Sequence, residues 1–250
     1  MHGLLYASEW PVSEKISIHL PTVGEIYDAE DEYYDMVYKL TAMPIDLMVS
    51  LDKIGIDFST VDEFHLFLSM LNGLKGCDTS LIFGNLDLTK FDFGYDEDSN
   101  EPALINQEDD IVIDRRAYYK ITGVLRKLHH LEKDRRKPAN EEAKKYMLER
   151  AKKKHKRNKS KAFESQLEPL IVAMVNTKEF KYDYQSVRNI SIYQFNESVY
   201  QIIKRVDYDN RMLGIYTGSI SAKEFKPDDL NWLVHKEFIL RSIMLLFYIL

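Results

Sequence analysis

The chain has 250 residues, 45% hydrophobic and 30% charged, the proportions of a folded protein with a substantial core and not of a disordered one. A net charge of −6 argues against nucleic-acid binding by the chain as a whole, and a single cysteine, Cys77, excludes an intramolecular disulfide and fits a reducing compartment. With only 10 Gly and 7 Pro, breakers are scarce, which favours long helices over a many-stranded barrel or sandwich.

The first ten residues have no basic start and too short an apolar stretch for a signal peptide, so none is expected. Ile16, Ile18 and Leu20 then alternate with Lys15, Ser17 and His19, the pattern of a half-buried strand. Pro21 and Gly24 read as a turn, after which Asp28 to Leu40 takes helical spacing, with Tyr34, Val37 and Tyr38 on one face. A short second helix follows through Ile45, Met48, Val49 and Leu51. Thr60-Val-Asp-Glu63 has the form of a capping box opening a helix from Val61 to Leu71, which Asn72-Gly73 closes. Thr79 to Gly84 reads as a strand, and Asn85 to Phe93 as a second strand or extended loop. Tyr95 to Asp110 holds seven acids and no base, the composition of an exposed loop or hairpin tip.

The second half is more uniformly helical. Asp114 caps a helix through Tyr118, Ile121, Val124, Leu125 and Leu128, and Asn140-Glu-Glu starts another. Between Lys144 and Lys161 there are ten Lys or Arg against one acid, Glu149. Phe163 to Val175 reads as an amphipathic helix and Phe180 to Tyr184 as a strand. Ser191-Ile-Tyr-Gln194 opens the clearest helical stripe of the chain, Ile192, Phe195, Val199, Ile202, Ile203 and Val206. A further helix runs from Tyr208 to Tyr216 and stops at Gly218, and Asp228 or Asp229 caps a last one holding Leu230, Trp232 and Leu233. Phe238 to Leu250 is almost continuously apolar, but its 13 residues fall short of a membrane span, which takes roughly 20. A buried or partner-covered helix is expected there, and no membrane.

The chemistry-bearing residues do not assemble into a catalytic pattern. The seven histidines have no zinc-site spacing with Cys77 or with one another, and Gly94-Tyr-Asp-Glu-Asp lacks the central glycine and closing glutamate of a calcium loop. Carboxylates are plentiful, yet no nucleophile motif, phosphate loop or ligand set singles out a pair. No enzyme, metal or cofactor is expected. The basic run, with Lys145, Arg150, Lys152, Lys153, Lys156 and Arg157 as its surface, suits a solvated helix first, then a protein-partner surface, then nucleic acid through residues 144–161.

One arrangement resembles a known family. The order strand, Leu20-Pro21-Thr-Val-Gly24-Glu-Ile-Tyr27, charged segment and Leu40-Thr41 is similar to baseplate-hub assembly proteins of contractile-tailed phages, where a Leu-Pro-Ser-x-Gly-x-x-Tyr segment precedes a Leu-Thr element. Segments such as Thr79 to Leu88 and Leu213 to Ser219 look like tail-region proteins of phages of Gram-positive bacteria. The resemblance implies a tail or baseplate morphogenesis protein, an assembly chaperone or minor structural component. Its partners would be other tail proteins, a hub or tape-measure protein, met through Leu20, Pro21, Gly24, Tyr27, Tyr34, Tyr38 and Leu40. It would act in the host cytoplasm or the virion tail, with self-association open. The alternative is a nucleic-acid-binding regulatory protein using the basic helix.

The expected fold is therefore α+β and predominantly helical, with a small β element in the N-terminal half and a helical C-terminal half carrying an exposed basic helix. The expected domains are a mixed α/β unit over 1–136, a basic helical linker over 137–162 and a helical unit over 163–250.

Overall fold

Glu9–Pro11 (β1) and Ser17–His19 (β2) form a two-stranded antiparallel sheet with Trp10 opposite Ile18, in a computed structural model that describes residues 3–97, 99–158 and 163–233. Ile16, Ile18 and Leu20 all turn inward, as their alternation predicts. The expected Pro21/Gly24 turn is instead a helix start. Thr22 accepts the Glu25 backbone N–H at 3.2 Å, while the Glu25 carboxylate accepts the Thr22 N–H at 2.7 Å. That capping box opens α1, Val23–Asp28.

Helix α2 spans Glu30–Thr41 and α3 spans Met48–Lys53. Helix α4 covers only Glu63–Ser69, and its cap is Asp62, which accepts the N–H groups of Phe64 and His65; the Thr60 hydroxyl is turned to the Asp57 carbonyl. Asn72-Gly73 does not end a helix but lies within the next one, α5, Leu71–Lys75. Thr79 to Gly84 is a helical turn, α6, Ser80–Phe83, and not a strand. Asp78 accepts the Ser80 N–H, and Gly84 leaves the turn at φ 59°.

The acidic segment contains a sheet that its charge concealed. Asp92–Tyr95 (β3), Pro102–Asn106 (β4) and Ile111–Ile113 (β5) form an antiparallel meander with Leu104 opposite both Phe93 and Ile113. Ala103, Leu104 and Ile113 are buried, while the acids occupy the connecting loops.

Asp114 caps α7, Arg115–Leu128, and Asn140 accepts the Ala143 N–H at the start of α8, Glu141–Asn158. Helix α9 is Leu167–Val175. Phe180 to Tyr184 is loop: Phe180 enters the core and Lys181 to Tyr184 remain exposed. Helix α10 runs unbroken over 25 residues, Ile192–Tyr216, where two helices were expected, and Gly218 follows it at φ 73°. Residues 234–250, including the apolar C-terminal run, lie outside the described residues.

The protein is thus α+β and mostly helical. Buried side chains from Leu4 to Leu128 and from Leu167 to Val199 belong to one hydrophobic cluster. A smaller cluster of Ile45, Leu51, Phe58 and Leu66 sits beneath α8 and takes Met147 from it. Two backbone hydrogen bonds tie the first and last thirds of the chain together, Val23 N–H to Ile190 C=O at 2.9 Å and Ile192 N–H to Pro21 C=O at 2.8 Å.

Candidate interaction surfaces

The Leu-Pro-Thr-x-Gly segment is an internal joint. Leu20 and Leu40 are in the core, Pro21 and Gly24 are buried, and Tyr34 and Tyr38 are half-buried. Tyr27, 39% exposed, is the most open of these residues and lies beneath the Arg188 guanidinium. The expectation of a partner-binding face made of these residues needs correcting on that point: the apolar ones are spent on packing α1 and α2 and have no area left to offer. Burial pushes the hydroxyls of Tyr34 and Tyr38 upward, so both stay protonated donors.

Helix α8 divides by period. Ala143, Lys144, Met147, Leu148, Ala151 and Lys154 form its inner side, half-buried. Lys144 pairs with Asp57 at 2.5 Å and Lys152 with Asp52 at 2.6 Å, either side of the end of α3. Lys144, with help from Ser59, holds the Asp57 carboxyl down at about 2. The outer side carries Lys145, Arg150, Lys153, Lys156 and Arg157, all exposed. Among the described residues none of these five makes an ion pair. Partial burial, with Arg157 and Arg150 close by, draws the Lys154 ammonium below its ordinary value. Of the six cations expected on a basic surface, Lys152 is paired with Asp52 and the other five are exposed, on a helix that is docked. Lys159 and Lys161 lie outside the described residues.

The apolar stripe of α10 outruns the core. Ile192, Phe195 and Val199 are buried, but the same helical face continues into Ile203, Val206 and Leu213, which are 38%, 45% and 63% exposed. Tyr216, at 80%, stands at the helix end. Another face of this overhang is covered by the chain that follows: Arg205 lies over the Trp232 ring at 4.7 Å, Arg211 over Phe225 at 5.2 Å, and Gln201 donates to the Trp232 carbonyl. That return leaves the Val206–Leu213 face open among the described residues. Periodicity finds the stripe; whether a stripe is buried depends on what packs against it.

Inside the protein, titratable groups serve the packing. Tyr33 Oη and His129 Nε2 are 2.8 Å apart and buried between α2 and α7. Burial, with His130 alongside, pulls His129 down to about 3, so its imidazole is neutral. Buried Arg126 donates to the Thr41 carbonyl at 2.5 Å and lies 3.8 Å from Glu63, which Lys133 also pairs. A surface cleft of about 230 Å³ is lined by Val12, Asp96, Asp114 and Lys120, among others. Two of its polar groups are already engaged, Asp114 by the Ala117 N–H and Lys120 by the Val12 carbonyl. Among the described residues no group of three or more His, Cys, Asp or Glu is placed to hold a metal ion, and no helix is long and apolar enough to cross a membrane.

Residues 153–237 match the model of a family described as the YomV second domain. That family is phage-derived. The matched segment begins in the last turns of α8 and takes in α9, all of α10 and the return that packs on it. No curated protein and no solved structure matches the chain. The C-terminal third is thus similar to a phage-derived family, and the similarity leaves its task open.

Proposed function

We propose that the chain is a phage tail or baseplate morphogenesis protein, an assembly chaperone or minor structural component that binds other tail proteins such as a hub or tape-measure protein. It works in the host cytoplasm, or in the virion tail if it stays with its partner, by covering an apolar surface until that surface is built in. No bond is made or broken in a pocket of its own. The observation that carries this reading is the apolar face of α10, Ile203, Val206 and Leu213, open among the described residues and inside the segment similar to a phage-derived family. The resemblance of Leu20 to Leu40 to baseplate-hub assembly proteins supports it, although that motif serves the fold and leaves partner contact to α10. Deleting the gene from its phage should give filled heads without tails; normal tails would reject the reading.

The second reading, a nucleic-acid-binding regulator, is favoured by the five exposed cations of α8. A gel shift at low ionic strength, where phosphate attraction is strongest, tests it. An unshifted probe there rejects it.

A further inference from the structure

Helix α8 has a neighbour along one edge that its sequence does not reveal. Asp52 and Asp57 are the two α8 anchors on the α3 side, and the chain between them, Lys53-Ile-Gly-Ile56, is held against the helix at both ends. Gly55 turns that chain at φ 74°, and Ile54 and Ile56 are left 68% and 43% exposed. Tyr146, on α8 beside Lys145, is 66% exposed. The loop thus runs along one edge of α8, between Lys144 and Lys152, while Tyr146 stands among Lys145, Arg150 and Lys153 on the outer side of a helix fixed in place by Met147 and two ion pairs.

We propose that the 53–56 loop and the outer side of α8 form one docking surface for an acidic, amphipathic polypeptide segment. Charge complementarity selects an acidic partner for the exposed cations, which make no ion pair among the described residues. The two isoleucines select a polypeptide, because they add nothing to phosphate contacts, and a single exposed tyrosine is a poor stacking platform for bases. An acidic helix or strand offers both halves at once, carboxylates for the cations and apolar anchors for Ile54 and Ile56. Fixing α8 in advance lowers the ordering cost of binding, which a free, solvated basic helix would have to meet. This surface is separate from the α10 face, so it stands or falls independently of the tail-assembly reading.

Fluorescence anisotropy tests it with the full chain and three probes: a labelled peptide of Glu and Leu at helical spacing, the same peptide with every Leu replaced by Ser, and a duplex DNA of similar length. The Leu-bearing peptide should bind, and by at least about tenfold more tightly than its Ser counterpart. Lys145→Glu/Arg150→Glu/Lys153→Glu and, separately, Ile54→Ser/Ile56→Ser should each weaken it by about tenfold or more. All five side chains are exposed, so both variants should melt with the parent. Equal binding of the Ser peptide would overturn the proposal, as would no binding of either peptide. DNA bound as tightly as the Leu peptide and indifferent to Ile54→Ser/Ile56→Ser would overturn it in favour of nucleic acid.

Discussion

Thr22 and Ser191, the N-caps of α1 and α10, lie opposite one another in an antiparallel bridge. Each heads its own capping box, with Glu25 and Gln194 respectively, so two helix starts share one joint between distant parts of the chain. Substituting either cap with Ala should cost about 1 kcal/mol. Because the two residues touch the same joint, the double variant should depart from the sum of the singles. Urea unfolding of the four proteins checks this; strict additivity would mean that the joint is not shared.

Gly24 is what lets α1 approach that joint. A Cβ there would stand 2.9 Å from the backbone oxygen of Arg188 and 3.2 Å from its Cβ. The nearer atom is main chain, so it cannot rotate aside. Gly24→Ala should therefore destabilise by about 1–3 kcal/mol despite the better helix propensity of Ala. An unchanged melting temperature would show that the two segments slide apart freely.

Glu30 reaches across the chain in a similar way. Its buried carboxylate accepts the Ser165 hydroxyl at 2.5 Å and the N–H groups of Gln166 and Leu167 at 2.8 and 2.9 Å. It thereby caps the start of α9 from within α2. Glu30→Ala strands the buried Leu167 N–H and the half-buried Gln166 N–H and should cost about 2–3 kcal/mol, with Glu30→Gln milder because its amide oxygen still accepts. Faster amide exchange in α9 than elsewhere would locate the loss.

The Tyr33–His129 pair predicts a pH dependence. His129 falls from its ordinary 6.5 to about 3 through burial first and His130 second. Between those values the unfolded chain binds a proton that the folded chain refuses. Stability is thus complete above pH 6.5 and declines as pH falls toward 3, by up to about 1.4 kcal/mol per unit. His129→Gln should flatten this slope relative to the parent in unfolding titrations, and parallel slopes would contradict the assignment. Tyr33→Phe removes one buried hydrogen bond and should cost about 1–2 kcal/mol.

Local signals were legible where one side chain settles the backbone. Asp114, Asn140 and Ser191 announce the starts of α7, α8 and α10, and each is found capping its helix. Thr22-x-x-Glu25 carries the same form as Ser191-x-x-Gln194 but is obscured by Pro21 and Gly24, which read as turn residues. Thr79 to Gly84 misleads because a three-residue apolar run, Leu81 to Phe83, suits a strand or a helical turn equally, and the deciding residue, Asp78, lies before it. In the acidic segment, charge in the loops masks the buried Ala103-Leu104 of the central strand. The site was less legible than the fold. The Leu-Pro-Thr-x-Gly segment looks distinctive because its joint is demanding, and distinctiveness of sequence does not separate an internal joint from a contact face. The exposed half of the α10 stripe follows from where the core ends, a tertiary fact absent from any local window.

That stripe carries the account. Val206→Asp and Leu213→Asp alter exposed positions and should each change stability by less than about 0.5 kcal/mol. The decisive measurement is co-expression with the hub and tape-measure proteins of the same phage, followed by capture through a tag on this chain. The parent should bring down one of them in soluble form, and the Val206→Asp/Leu213→Asp protein, equally folded, should lose it. Capture undiminished by the double substitution, or no capture of either protein by the parent, would contradict the account.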